Sequence, residues 1–235
     1  MFFDNLKKNI YSQNGEDGII EYLLDKIEDK DYWCCEFGAW DGKHLSNTFN
    51  LVSNRNYNAV YIEGDESKYQ DLLNTCIKYN KIVPIKSWVG IEGESSLDNI
   101  LSSTEIPKNF DLLSIDVDGT DYLIWKHFLN YSPKIVVIEI NSSFRPELTF
   151  NDEELNYNNM LSRSGKDNGG VNFKTCYDLG RTKGYRLFTH TGNLIFIHEK
   201  YSHLFPDLAT DDNYFKYFLS GWLPTTGYET KINIG

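Results

Sequence analysis

Residues 33–42, WCCEFGAWDG, decide how this chain is read. A short apolar run ends in Glu36-Phe37-Gly38 and turns through a second glycine, Gly42. That is the pattern of a buried strand delivering a tight loop to a helix N-terminus, where bare backbone N–H groups are expected to receive a nucleotide-like ligand. Working outward, the chain alternates. Residues 59–63 (AVYIE), 82–89 (IVPIKSWV), 110–117 (FDLLSIDV) and 135–141 (IVVIEIN) read as further strands. Helical patterns over 14–28, 45–53, 67–79, 121–129 and 172–183, with a helix start at 95–98, separate them. Continuous apolar strands between helices predict a parallel sheet covered on both faces. Two last strands, 185–190 and 193–198, are joined by the turn residues Thr191-Gly192. The expected fold is α/β, a doubly wound, mostly parallel seven-stranded sheet closing in a C-terminal antiparallel hairpin, in a single domain over 1–235. Residues 141–170 are polar, aromatic and glycine-bearing, and suit either a substrate loop hung over the site or a disordered segment.

Charge narrows the partners. With a net charge of −11 and a pI near 4.9, the chain repels nucleic-acid phosphates and anionic membranes. No run of ~18 apolar residues is present to span a bilayer, and MFFDNLKKNI lacks an apolar signal core, so a cytoplasmic protein is expected. Cys34, Cys35, Cys76 and Cys176 form no C-x-x-C pair, which argues against a zinc site or a disulfide framework. The aromatic tail over 199–235 is suited to packing on the domain or on a second subunit as a homodimer.

In parallel α/β sheets ligands sit beyond the carboxyl ends of the strands. Glu36, Glu63, Asp116 and Glu139 all fall at that edge. An acid at the tip of the second strand, Glu63, is placed to accept hydrogen bonds from ribose hydroxyls. Tyr11-Ser12-Gln13 lies where the chain could fold over a cofactor, or serves as a plain helix cap. The ring of Trp88 could stack on an adenine or pack at a core rim. Position 40 is Trp and position 43 is Lys, a departure from the dinucleotide pattern G-x-G-x-x-G that argues against a dehydrogenase.

Taken together, the strand–EFGAWDG–helix unit, Glu63, Asp116 after the fourth strand and the late hairpin resemble a Rossmann-like (class I) S-adenosylmethionine-dependent methyltransferase. YSQNGEDG at 11–18, IDVDG at 115–119, VVIEIN at 136–141 and the GY…H.TGN.IF segment resemble its FkbM-like group, many members of which O-methylate sugars or other small hydroxylated molecules. The likeness covers about 10–200. It implies cofactor contacts from Gln13, Glu36, Gly38, Ala39, Trp40, Gly42, His44, Glu63, Gly64, Trp88 and Asp116. It further implies catalytic roles for Asp116, Asp118 and Glu139, with S-adenosylmethionine as cofactor and a small-molecule, sugar or surface-polysaccharide acceptor. Metal-dependent relatives hold a divalent cation, magnesium or manganese, on acids after the fourth and fifth strands; Asp116, Glu139 and Asn141 match that set in kind. Such relatives often place a histidine or lysine base three residues after the first acid. Gly119 stands there, which leaves Asp118 as the candidate base. His44, His127 and His190 carry no spacing that assigns them.

Two other readings compete. Asp116-Val117-Asp118-Gly119-Thr120 after an apolar strand also resembles the first motif of haloacid-dehalogenase-type phosphatases, with Asp116 as nucleophile and Asp118 handling the proton. Against it, three strand–helix units precede the motif, and the later pair Asp211-Asp212 follows no strand. A calcium loop fails because its twelfth position would be His127 rather than Glu. A non-catalytic nucleotide-binding module stays open as the third class.

Overall fold

The computed structural model describes residues 2–206, 208, 209 and 213. Seven strands form one sheet: β1 (Trp33–Phe37), β2 (Asn58–Glu63), β3 (Ile82–Lys86), β4 (Leu112–Ile115), β5 (Ile135–Glu139), β6 (Tyr185–His190) and β7 (Asn193–His198). Their order is β3-β2-β1-β4-β5-β7-β6. All pairings from β3 to β5 are parallel. β7 runs antiparallel to both β5 and β6, so the hairpin docks by its second strand. The architecture expected from the sequence, a mostly parallel α/β sheet with a terminal antiparallel pair, is the one observed.

All of β4 and all but the first residue of β2 are buried, which requires helices on both faces. These are α1 (Glu16–Lys26), α2 (Phe49–Asn54), α3 (Glu66–Lys78), α4 (Leu97–Ser102), α5 (Asp121–His127), α6 (Tyr157–Arg163) and α7 (Phe173–Thr182). α1 buries Ile19, Ile20, Leu23 and Leu24, the apolar stripe visible in the sequence. Asp65 caps α3 by accepting from the amides of Ser67 and Lys68. α7 lies so close to the sheet that a Cβ on Gly180 would fall 2.4 Å from the Phe196 ring of β7.

At the amino ends of the strands, Lys134 is only 1 % exposed and donates to Asp31, to Asp111 at 2.6 Å and to Asn109 O at 2.8 Å. Asp111 in turn accepts from the amides of Asp31 and Tyr32. This buried ion cluster fastens the start of β5 to the segments before β1 and β4.

Element ends differ from expectation for identifiable reasons. β3 stops at Lys86 because Ser87 N makes the final ladder contact, to Glu63 O at 3.1 Å, and Trp88 then leaves the sheet. The helix expected over 45–53 begins only at Phe49, since Leu45 sits in the left-handed region (φ 55°) and Ser46–Thr48 wrap around Glu36. The polar stretch 141–170 contains α6, pinned by buried Met160. It is tied down through Asn141 N to Val171 O (2.8 Å) and Gly165 N to Asp118 O (2.7 Å). In the tail, Ala209 N donates to Leu187 O at 3.0 Å and covers the β6 edge. Asp211 and Asp212 lie outside the described residues, as does most of 199–235 beyond 206. All four cysteines are free thiols. No helix among the described residues is long and apolar enough to cross a membrane.

Candidate active site

Glu36, Glu63 and Glu139 occupy the carboxyl ends of β1, β2 and β5, and Asp116 follows β4 directly. All four acids therefore share the edge predicted for them. Each is held differently.

Glu36 is buried and accepts from Ser46 Oγ, from Thr48 Oγ1 (2.6 Å) and from Asn47 N (3.1 Å). Burial raises its carboxyl above the ordinary range, and the three donors work against that shift. Ser46 Oγ also accepts from the amides of Thr48 and Phe49. The amides of Asn47, Thr48 and Phe49, at the entry to α2, are thus taken up by Glu36 and Ser46.

Gly38 and Ala39 donate to Ile62 O at 3.1 and 3.2 Å, and Gly42 N closes a turn on Ala39 O at 2.7 Å. The loop thereby lies across the tip of β2. Gly38 has φ 73°, and a Cβ there would fall 2.0 Å from Asp116 O, so only glycine lets the β1 loop meet the β4 tip. Glu63, 4 % exposed, accepts from Trp40 N at 2.8 Å and Asp65 N at 2.7 Å, one amide per oxygen. Trp88 is 73 % exposed and packs on Gly64, where a Cβ would meet its indole at 2.3 Å. Gly38, Ala39, Trp40, Gly42, Glu63, Gly64 and Trp88 thus form one group over the tips of β1–β3.

A cavity of about 640 Å³ opens beside this group, over the ends of β4, β5 and β7. Of the expected residues, Gln13, Asp116, Asp118, Glu139 and Asn141 line it. His44 does not; it faces a second cavity against α3, with Asp71 and Thr75, and its ring packs on Trp40 at 5.3 Å. His127 Nδ1 pairs with Leu123 O at 2.8 Å within its own helix, a structural use. His190, 1 % exposed, lies 3.5 Å from Ser142 Oγ behind the cavity wall.

Carboxylate oxygens of Asp116, Asp118 and Glu139 come within 4.8 Å of one another. Burial, then Asp121, Asp118 and Glu36, pushes Asp116 up to about 7. Burial, then Asp116 and the neighbouring aspartates, pushes Glu139 up to about 9. Two carboxyl groups so placed share a proton near neutrality. Asn141 lines the same cavity. Its Oδ1 accepts from Ser143 N and Oγ, and its Nδ2 donates to Asp167 O and Gly169 O, so the amide is spent on folding the insertion. Asp118 completes the carboxylate cluster with Asp116 and Glu139. The donors that remain are hard oxygens, a set compatible with a divalent cation.

Sequence reasoning missed Asp121, Ser142, Ser143, Asp167 and Asn193 as lining residues. Asp121 carried a signal: an acid at a helix start, five residues after a strand-end acid. It accepts from Val117 N and Gly119 N, both at 2.8 Å, and shapes the turn that presents Asp116 and Asp118. Ser142, Ser143 and Asp167 belong to the polar stretch 141–170 expected over the site, within which no spacing singles them out, and Asn193 comes from the distant hairpin.

No protein-family model matches the chain, and no curated protein does. Among solved structures, the N-terminal domain of EvdMO1 in the presence of SAH and D-fucose aligns at 9 % identity over 79 % of this chain and 83 % of that one, with a TM-score of 0.49. A putative caffeoyl-CoA O-methyltransferase from Staphylococcus aureus aligns at 13 % identity over 83 % and 86 % (TM-score 0.49). A SAM dependent methyltransferase from Aquifex aeolicus aligns at 10 % identity over 75 % and 86 % (TM-score 0.41).

Proposed function

We propose that the protein is an S-adenosylmethionine-dependent methyltransferase acting on a hydroxyl of a small, sugar-like acceptor, of the FkbM-like kind that its motifs resemble. One observation carries the reading: the glycine turn of β1 rests on the backbone of Asp116, whose side chain opens into the acid-lined cavity. Cofactor and acceptor sites then share a wall at the reacting centre.

The residues suit such a cofactor. It brings no phosphate, and the helix N-terminus after β1 is filled by protein groups. An exposed Trp88 face on Gly64 offers a platform for adenine, and each Glu63 oxygen keeps a lone pair for a ribose hydroxyl. Once bound, S-adenosylmethionine supplies an electrophilic methyl group. The chain's part is to position the acceptor and take its proton. The Asp116–Glu139 pair, ionised by one proton fewer, receives the proton as the acceptor oxygen gains its methyl group; Asp118 at the cavity mouth is the alternative acceptor. Asp116, Asp118 and Glu139 would also hold magnesium or manganese, which lowers the pKa of a coordinated hydroxyl. The phosphatase reading fits poorly. Its nucleophile, Asp116, would meet phosphate among carboxylates, and Lys166, the basic residue of the lining, donates instead to Ser162 O at 2.6 Å.

Thermal unfolding tests the proposal. S-adenosylhomocysteine at a hundredfold excess over its dissociation constant should stabilise the chain by about 2.7 kcal/mol. Absence of any shift, with magnesium-dependent hydrolysis of an aryl phosphate, would establish the phosphatase instead. Cofactor binding without transfer to any hydroxylated acceptor would indicate the non-catalytic module. Methyl transfer unchanged by EDTA removes the cation.

A further inference from the structure

The cavity beyond Asp116 has a one-sided charge. Asp116, Asp118, Asp121, Glu139 and Asp167 all line it, drawn from the β4 turn, the β5 tip and the insertion. The one basic residue of its lining among the described residues, Lys166, turns its ammonium to the carbonyl of Ser162 at the end of α6. Asp118 and Asp167 are exposed, and neither meets a basic side chain among the described residues. Asp121 is already spent on two backbone amides. The remaining wall is neutral and hydrogen-bonding: Gln13 and Asn14 from the strap before α1, Ser142 and Ser143 after β5, and Asn193 from the hairpin. Carboxylates in a concave site reinforce one another's field. An anionic group pays for entry in both desolvation and repulsion.

Resting on the methyl-transfer reading above, we infer that the acceptor is a hydroxylated molecule carrying a protonated amine, such as an amino sugar, and that phosphorylated or nucleotide-linked sugars are rejected. The neutral amides and hydroxyls of the wall serve its hydroxyl groups. Asp118 and Asp167, at the open side, receive the ammonium, while Asp116 and Glu139 stay beside the reacting oxygen. One cationic sulfonium at the Gly38 end does not exhaust this charge, because the unpartnered carboxylates lie on the insertion side.

A matched trio tests it: glucosamine, glucose and glucose 6-phosphate, titrated calorimetrically into the full chain saturated with S-adenosylhomocysteine at pH 7 and low salt. Glucosamine should bind roughly tenfold tighter than glucose, an advantage that shrinks as salt is added, and glucose 6-phosphate should not bind. Asp167→Asn, at an exposed position of the cavity lining, should shrink the glucosamine advantage severalfold while glucose binding is unchanged. Equal or tighter binding of glucose 6-phosphate overturns the inference, as does failure of glucosamine to bind. Saturation with S-adenosylhomocysteine is measured first, so failure at that step counts against the methyltransferase reading and failure with the trio against the acceptor class alone.

Discussion

A glycine and a pair of acids set the chemistry of the edge. Gly38 holds a left-handed backbone within touching distance of Asp116 O, so Gly38→Ala adds both strain and a clash. A loss of roughly 3 kcal/mol or more is expected, read from the denaturant midpoint. The Asp116–Glu139 pair acts in the opposite direction. Both native pKa values lie above those of the unfolded chain, from 3.8 to about 7 and from 4.5 to about 9. Between pH 4 and 9 the native state therefore holds protons that the unfolded chain has released. Stability from this pair is complete below pH 4 and declines as pH rises through that window. Asp116→Asn should accordingly be more stable than the parent at pH 8 by on the order of 2 kcal/mol, with little difference at pH 4 and methyl transfer abolished. Urea titrations in EDTA at the two pH values check it; a variant equally destabilised at both would sink the shared-proton account. Glu36, Glu63, Asp116 and Glu139 were legible in the sequence because strand ends announce themselves. What their oxygens bind was not. The Ser46 and Thr48 donors that occupy Glu36 belong to a turn with no pattern of its own.

At the level of elements, strands were read more faithfully than helix starts. Apolar runs between polar ends mark β1, β2, β4 and β5 directly, whereas α2 begins where Glu36 finishes collecting hydrogen bonds. The insertion was legible as polar and irregular, but α6 and the docking of Gly165 on Asp118 depend on contacts across 47 positions of chain, from 165 − 118. Lys134 shows the same gap between composition and role. A lysine before an apolar strand looks solvated, yet it neutralises Asp111 in a buried cluster. Lys134→Met should cost about 3 kcal/mol, since it strands a buried carboxylate, and the Asp111→Asn, Lys134→Met pair should recover part of that loss. Recovery is measured as the coupling in a double-mutant cycle.

Across the whole molecule, the cavity exists because the strap before α1 and the hairpin after α7 meet. Glu16, fully buried, accepts from Thr191 Oγ1 at 2.7 Å and from Asn14 N at 2.8 Å, which sets Asn14 and Gln13 against the acids of β4 and β5. Thr191→Val leaves that carboxylate short of a donor and should lower stability by about 1–3 kcal/mol, with a larger loss of acceptor than of S-adenosylhomocysteine affinity. Equal losses for both ligands would show that the strap serves the cofactor instead. The doubly wound topology and its closing hairpin were readable in order along the chain; this closure was not, since its two halves are 175 residues apart. That separation also orders events at the ribosome. The strap and the five parallel strands emerge while the partner of Glu16 is still unmade, so a nascent chain presents an open acidic trough. The walled cavity forms only after the final hairpin has left the exit tunnel.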